Sequence, residues 1–140
     1  MAADEKLELL ATVPLFAGLD QKALVRLGML TEEVDLPADR VLMRQGDVGR
    51  EMMILVAGSA RVERDGQLIA ENGRGAVIGE IALLDGGPRT ATVTLTEPSR
   101  LLVLGRREFL AAMDEFPEIR LKVLETVASR LRTLDSDALT

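Results

Sequence analysis

The chain has 140 residues, 47% of them hydrophobic, with 17 Lys and Arg against 23 Asp and Glu and a formal charge of −6. That apolar content at that length suits one folded domain with a buried core and excludes a disordered or purely solvating chain. The absence of cysteine and histidine excludes a disulfide framework, a Cys/His zinc site and any Ser/His/Asp or Cys/His catalytic group; an acidic chain without Tyr or Trp also lacks the basic, stacking surface that nucleic acids require.

Residues 4–11 read as a short helix with leucines on one face, broken by the apolar turn Val13–Gly18. Asp20 then caps a second helix that carries Ala23, Leu24, Leu27 and Leu30 at helical spacing. From Thr31 the apolar period changes to two. Val34 and Leu36, then Val41–Met43, then the run Met52–Val56, then Ala60 and Val62 each read as a strand, separated by Pro37-Ala38-Asp39, Gln45-Gly46-Asp47 and Gly58. Asp65-Gly66 is a two-residue hairpin signal. Leu68–Ala70 returns, residues 72–75 turn, and Ala76–Ile78 leads into a loop-rich segment. Ala91, Val93 and Leu95 alternate with threonines, and Leu101–Leu104 forms the last strand. Many short strands with glycine turns predict a mainly β fold, an antiparallel barrel or jelly roll with flanking helices.

The period then turns helical. Arg106–Glu115 predicts a helix with Phe109, Leu110 and Met113 inward, and Pro117 fits the first turn of a final helix reaching about Leu134. Leu121, Leu124, Val127 or Ala128, Leu131 and Leu134 form a stripe on it, either packed on the barrel or serving as a lid or a self-association seam. Asp135–Thr140 reads as a frayed end. The expected organisation is a single domain over 1–140: N-terminal helices to 30, a β-roll over 31–105 and C-terminal helices over 106–134. No apolar run has membrane-spanning length and the N-terminal stretch lacks a basic region followed by an apolar one, so a cytoplasmic protein without a membrane partner is expected.

Chemistry concentrates in Gly79–Leu95. Glu80 supplies a carboxylate able to accept from sugar hydroxyls, and Arg89 a guanidinium able to donate two parallel bonds to phosphate oxygens. Gly79 permits close backbone approach. A single helical turn starting at Glu80 leaves the Ile81 and Ala82 N–H groups for an anion, and the Thr90 and Ala91 amides lie beside Arg89. The combination suits a sugar-phosphate. The competing reading of the same residues is a structural Glu80–Arg89 ion pair.

Ile78-Gly79-Glu80-Ile81-Ala82-Leu83-Leu84 followed by Pro88-Arg89-Thr90-Ala91-Thr92-Val93 resembles the phosphate-binding cassette of the cyclic nucleotide-binding domain family. Arg44-Gln45-Gly46-Asp47, Gly58 and the Gly73/Gly75 pair extend the resemblance over nearly the whole chain. It implies an eight-stranded antiparallel β-roll flanked by N-terminal helices and two C-terminal helices. It also implies a cyclic nucleotide ligand, cAMP with cGMP accommodated, no cofactor or metal, and no catalysis. By position, Glu80 takes the ribose 2′-hydroxyl and Arg89 the cyclic phosphate, with backbone groups of Gly79, Ile81, Ala82, Thr90 and Ala91. Val62 packs on the purine, Asn72 stands near the base, and Arg130 on the last helix caps it. Ile78 and Met53 replace aromatic residues of the family pattern. Thr90 replaces the alanine of kinase-type cAMP sites, which leaves both purines open. The output is expected at an effector protein or a second copy through the last helix. The alternative is an interaction module of the same fold that has lost its ligand.

Overall fold

The structure, a computed structural model, describes residues 1–139. It contains two compact units, one formed by residues 30–110 and the other by 1–29 with 111–139, the two boundaries each falling inside a helix.

The first unit is built from eight strands: β1 (Glu32–Leu36), β2 (Val41–Met43), β3 (Glu51–Ala57), β4 (Ala60–Arg64), β5 (Gln67–Asn72), β6 (Val77–Ile78), β7 (Thr92–Leu95) and β8 (Ser99–Gly105). They make two four-stranded antiparallel sheets, ordered β1-β8-β3-β6 and β2-β7-β4-β5. This is the expected β-roll. Period-two alternation turns one face of each strand inward. Met53, Leu55, Ile78 and Leu101 of the first sheet meet Ala60, Val93 and Leu95 of the second, with Val34, Leu36, Leu42, Met43, Val62 and Val103 packed around them. The β4–β5 hairpin turns at Asp65 and Gly66, both at positive φ (53° and 78°), as a two-residue turn of the right twist requires. Gln45 clamps that turn, donating Nε2 to Asp65 Oδ1 at 2.8 Å and accepting the Asp65 N–H at 2.9 Å.

Between β6 and β7 lies a one-turn helix, α3 (Ala82–Asp85), whose buried Ala82 and Leu83 pack toward β3. Asn72, expected in a turn, closes β5 opposite Ala60.

The second unit holds α1 (Ala3–Ala11), a 3-10 turn (Pro14–Phe16), α2 (Gln21–Leu30, to Met29), the end of α4 (Arg106–Glu115) and α5 (Pro117–Leu139). Asp20 Oδ1 accepts the Ala23 N–H at 2.9 Å, the expected N-cap. Leu10, Leu15, Phe16, Leu27 and Ile119 are fully buried. One expectation is corrected in α5, and one of the readings of its leucine stripe is removed. The helix continues to Leu139 rather than ending near Leu134, because residues 135–139 contain no glycine or proline to stop it; of the expected frayed end, Thr140 lies outside the described residues. Its packed face carries Ile119 and Val123 (0% and 5% exposed), whereas Leu121, Leu124, Leu131 and Leu134 are 57–64% exposed. No helix among the described residues is long and apolar enough to cross a membrane.

The core assignment predicts a sharp contrast. Leu101→Ala, at the centre of the sandwich, is expected to cost about 2–5 kcal/mol. Leu68→Ala, on the exposed edge strand β5, is expected to stay within about 0.5 kcal/mol of the parent. Urea unfolding measures both, and comparable losses would contradict the assignment.

Candidate functional site

The site begins with two loops that are distant in sequence. The β2–β3 loop and the segment entering β7 are tied together by main-chain bonds. Gly49 N–H donates to Gly87 O (2.9 Å), Arg89 N–H to Asp47 O (2.7 Å) and Gly46 N–H to Arg89 O (2.9 Å), while Val48 and Pro88 form an isolated antiparallel bridge. The Gln45 N–H adds a bond to Thr92 Oγ1 at 3.0 Å. The turn Arg44–Asp47 therefore fixes the backbone that carries Arg89.

The Arg89 side chain lies between two glycines. A Cβ at Gly49 would stand 3.1 Å from its Cδ and Nε and 2.7 Å from the Ala82 Cβ. A Cβ at Gly79 would collide with its Nη1, and Gly79 itself sits at φ +75°, where L side chains are strained. Only glycine at both positions leaves the slot open. Arg89 is 8% exposed, and its guanidinium Nη1 is buried and makes no hydrogen bond. Burial pushes the Arg89 pKa below its ordinary value, partly opposed by the negative charge of Glu51. The group remains a cation at neutral pH, because arginine starts so far above it. An unsatisfied buried donor costs about 1–3 kcal/mol, and more when charged. A nearby anion would remove that cost.

Beside it is a cavity of about 250 Å³ lined by Met43, Gly79, Glu80, Ile81, Ala82, Asp85, Gly87, Pro88, Arg89 and Thr90. Six of the ten residues singled out from the sequence line it: Gly79, Glu80, Ile81, Ala82, Arg89 and Thr90. Ala91 is buried just behind. Val62 stands on β4 opposite Val93 and packs on the roll core, and Asn72 is at the end of β5; neither lines this cavity. Arg130 is on α5 in the other unit, on the half-buried side of that helix.

Local detail corrects two expectations. The Ala82 amide is already engaged, donating to Gly79 O at 3.2 Å in the turn that starts α3. Among the described residues, the amides of Ile81, Thr90 and Ala91 have no partner. The Thr90 carbonyl accepts Arg64 Nε at 2.9 Å. The Glu80–Arg89 ion pair is also not formed: the carboxylate whose charge acts on Arg89 is that of Glu51, at the start of β3. Gly49 and Glu51 were missed from the sequence, although both lie just past the Arg44–Asp47 motif. Asp85 also lines the cavity and holds the loop, its Oδ1 accepting the Gly87 N–H at 2.8 Å.

Chemically, the arrangement offers a desolvated cation, free amides beside it and a half-buried carboxylate across a small cavity. It can hold an anion at one end and hydroxyl groups at the other.

A double-mutant cycle tests the slot. Gly79→Ala is expected to destabilise the fold by about 1–2 kcal/mol from backbone strain alone, with a further loss from the Arg89 collision. In an Arg89→Ala background that further loss should vanish, giving a coupling of about 0.5–3 kcal/mol by urea unfolding. Strict additivity would place the guanidinium elsewhere.

A family model for the cyclic nucleotide-binding domain matches residues 33–116. A cyclic nucleotide-gated potassium channel of Rhizobium etli is 34% identical over 88% of the chain and 34% of its own length. A CRP-like cAMP-activated global transcriptional regulator of Mycobacterium tuberculosis is 27% identical over 93% of the chain and 60% of its own. The chain thus spans between a third and three-fifths of these curated relatives. Among solved structures, the N-terminal domain of a transcriptional regulator from Streptomyces coelicolor superposes with a TM-score of 0.84 at 34% identity, covering 92% of this chain and 93% of that one. The regulatory domain of Toxoplasma gondii PKA, crystallised with cAMP, superposes at 0.73 with 32% identity, covering 79% and 44%.

Proposed function

Because the chain belongs to the cyclic nucleotide-binding domain family, we propose that it is a non-catalytic sensor that takes cAMP, and cGMP as second choice, in the cavity beside Arg89. One observation carries the reading: a buried guanidinium with an unsatisfied Nη1, held in a slot that only glycines leave open. Such a cation favours a ligand that brings its own negative charge. In this reading Arg89 and the amides of Ile81, Thr90 and Ala91 hold the cyclic phosphate, and Glu80 accepts the ribose 2′-hydroxyl. The cavity accommodates the sugar-phosphate, and the base extends beyond it toward Val62 and Asn72, with Arg130 as the cap. The preference for cAMP draws on the Mycobacterium regulator, cAMP-activated by name, and the Toxoplasma domain crystallised with cAMP.

A ligand shifts a conformational equilibrium only by its different affinity for the two states. The lever assigned here is the cassette, and the output is movement of the flanking helices. The exposed leucines of α5 suit an effector protein or a second copy. The whole chain acts as one sensor domain in the cytoplasm.

Calorimetric titration with cAMP and cGMP side by side is the test. Arg89→Ala is expected to lose about 2–5 kcal/mol of binding, and Arg130→Ala less than about 1.4 kcal/mol, or tenfold. 2′-Deoxy-cAMP should bind more weakly to the parent, but about equally to parent and Glu80→Ala. Equal losses from both arginines would refute the phosphate assignment; no saturable binding at micromolar nucleotide would favour the ligand-free interaction module.

A further inference from the structure

A second arginine is built into the cassette from behind. Arg106 opens α4 directly after β8, and its main-chain N–H donates to the carbonyl of Arg50, next to the start of β3, at 2.8 Å. Its Nη2 donates to the carbonyl of Leu84 in α3 at 3.1 Å, while its Nε is buried without a hydrogen bond. Gly86 ends α3 in the left-handed conformation at φ 59°, and a Cβ there would stand 3.3 Å from Arg106 Nε and 3.4 Å from its Cδ. The guanidinium therefore lies directly against the end of the cassette turn.

A one-turn helix cannot hold itself: nucleation is unfavourable, and its last carbonyls have no partners within the helix. A cation that donates to such a carbonyl meets both needs. We propose that Arg106 is a positioning residue for the cyclic nucleotide site: it fixes the carbonyl end of α3, and through its own backbone it carries a shift of the cassette into α4. The proposal rests on the nucleotide reading for the ligand, but the anchor itself does not. Arg106 is not among the residues that line the ligand cavity, so its effect on affinity is indirect. Its one directed bond to α3 and its buried, unsatisfied Nε leave the contact sensitive to small displacements of that turn.

Amide hydrogen exchange on the parent, R106M and R106K, each with and without saturating cAMP, tests both halves. Without nucleotide, the amides of Leu84, Asp85 and Gly86 should exchange about tenfold faster in R106M than in the parent, matching loss of one charge-assisted bond. R106K, whose ammonium can reach the same carbonyl, should restore most of that protection. With cAMP, residues 107–115 should change exchange in the parent and not in R106M, while R106M affinity falls less than tenfold. Unaltered exchange at Leu84–Gly86 in R106M overturns the anchor. A cAMP response in α4 that is the same in R106M and the parent overturns the coupling. R106K as unprotected as R106M overturns the hydrogen-bond assignment. If the parent binds neither cAMP nor cGMP, the nucleotide reading fails on its own, and the ligand-free exchange still decides whether Arg106 holds α3.

Discussion

A guanidinium removed from water is the constraint on which the rest of the site depends. Arg89 is charged, nearly inaccessible and one hydrogen bond short. Such an arrangement survives only where the surrounding backbone leaves no alternative. Here Gly79 and Gly49 flank the side chain at distances that exclude any Cβ, and three main-chain bonds plus the Val48–Pro88 bridge hold the segment that carries it. The chain as a whole has charge −6, so its long-range field does not favour an anion. Attraction must be local, and burial makes it so: with water excluded, one fixed cation acts at short range far more strongly than in bulk solvent.

The β-roll explains how residues forty positions apart come to share that slot. β3 pairs with β6, which sets Met53 opposite Ile78 and brings the start of β3 beside Gly79; a Cβ at Gly79 would stand 3.1 Å from the Glu51 carbonyl. β7 pairs with β2, so the loop leaving β2 lies beside the segment entering β7. The functional groups thus sit on strand ends and short loops, while the strands behind them interlock through Met53, Leu55, Val93, Leu95 and Leu101. A close-packed interior of this kind resists deformation, and the loops inherit its precision. Glu51 is the counterweight: its charge opposes the desolvation of Arg89.

The fold was legible where the code is local. Period-two runs became strands, Asp65-Gly66 became the hairpin turn and Asp20 became a cap. The cassette was legible as a motif, and Gly79, Glu80 and Arg89 do line one cavity. What escaped was set by contacts that no window of sequence contains. Gly49 has its role only because Arg89 crosses it. Hydrophobicity counted by residue type left the leucines of α5 either packed or free for a partner; Ile119 and Val123 fill the buried face and the leucines face solvent. Asn72 carries a turn-former's propensity but is held in β5 by pairing with Ala60, a case of tertiary context overriding propensity. The Ala82 amide looked free because α3 was expected to start at Glu80; its start at Ala82 uses that amide on Gly79.

The shortness of α3 then acquires a meaning. A helix of four residues has no stability of its own. Its position is the resultant of outside ties: Ala82 and Leu83 buried, Gly86 forcing the exit, Arg106 on the Leu84 carbonyl. At its other end the Ile81 amide is uncommitted, and Arg89 stands beside it with an uncommitted donor. A ligand that satisfies both gains interactions that depend on where the turn sits, which is the differential affinity a switch requires. A longer helix, stable by itself, would depend less on such outside ties. The same four residues are therefore weak as secondary structure and suited to their place, poised between a desolvated arginine in front and a second arginine behind.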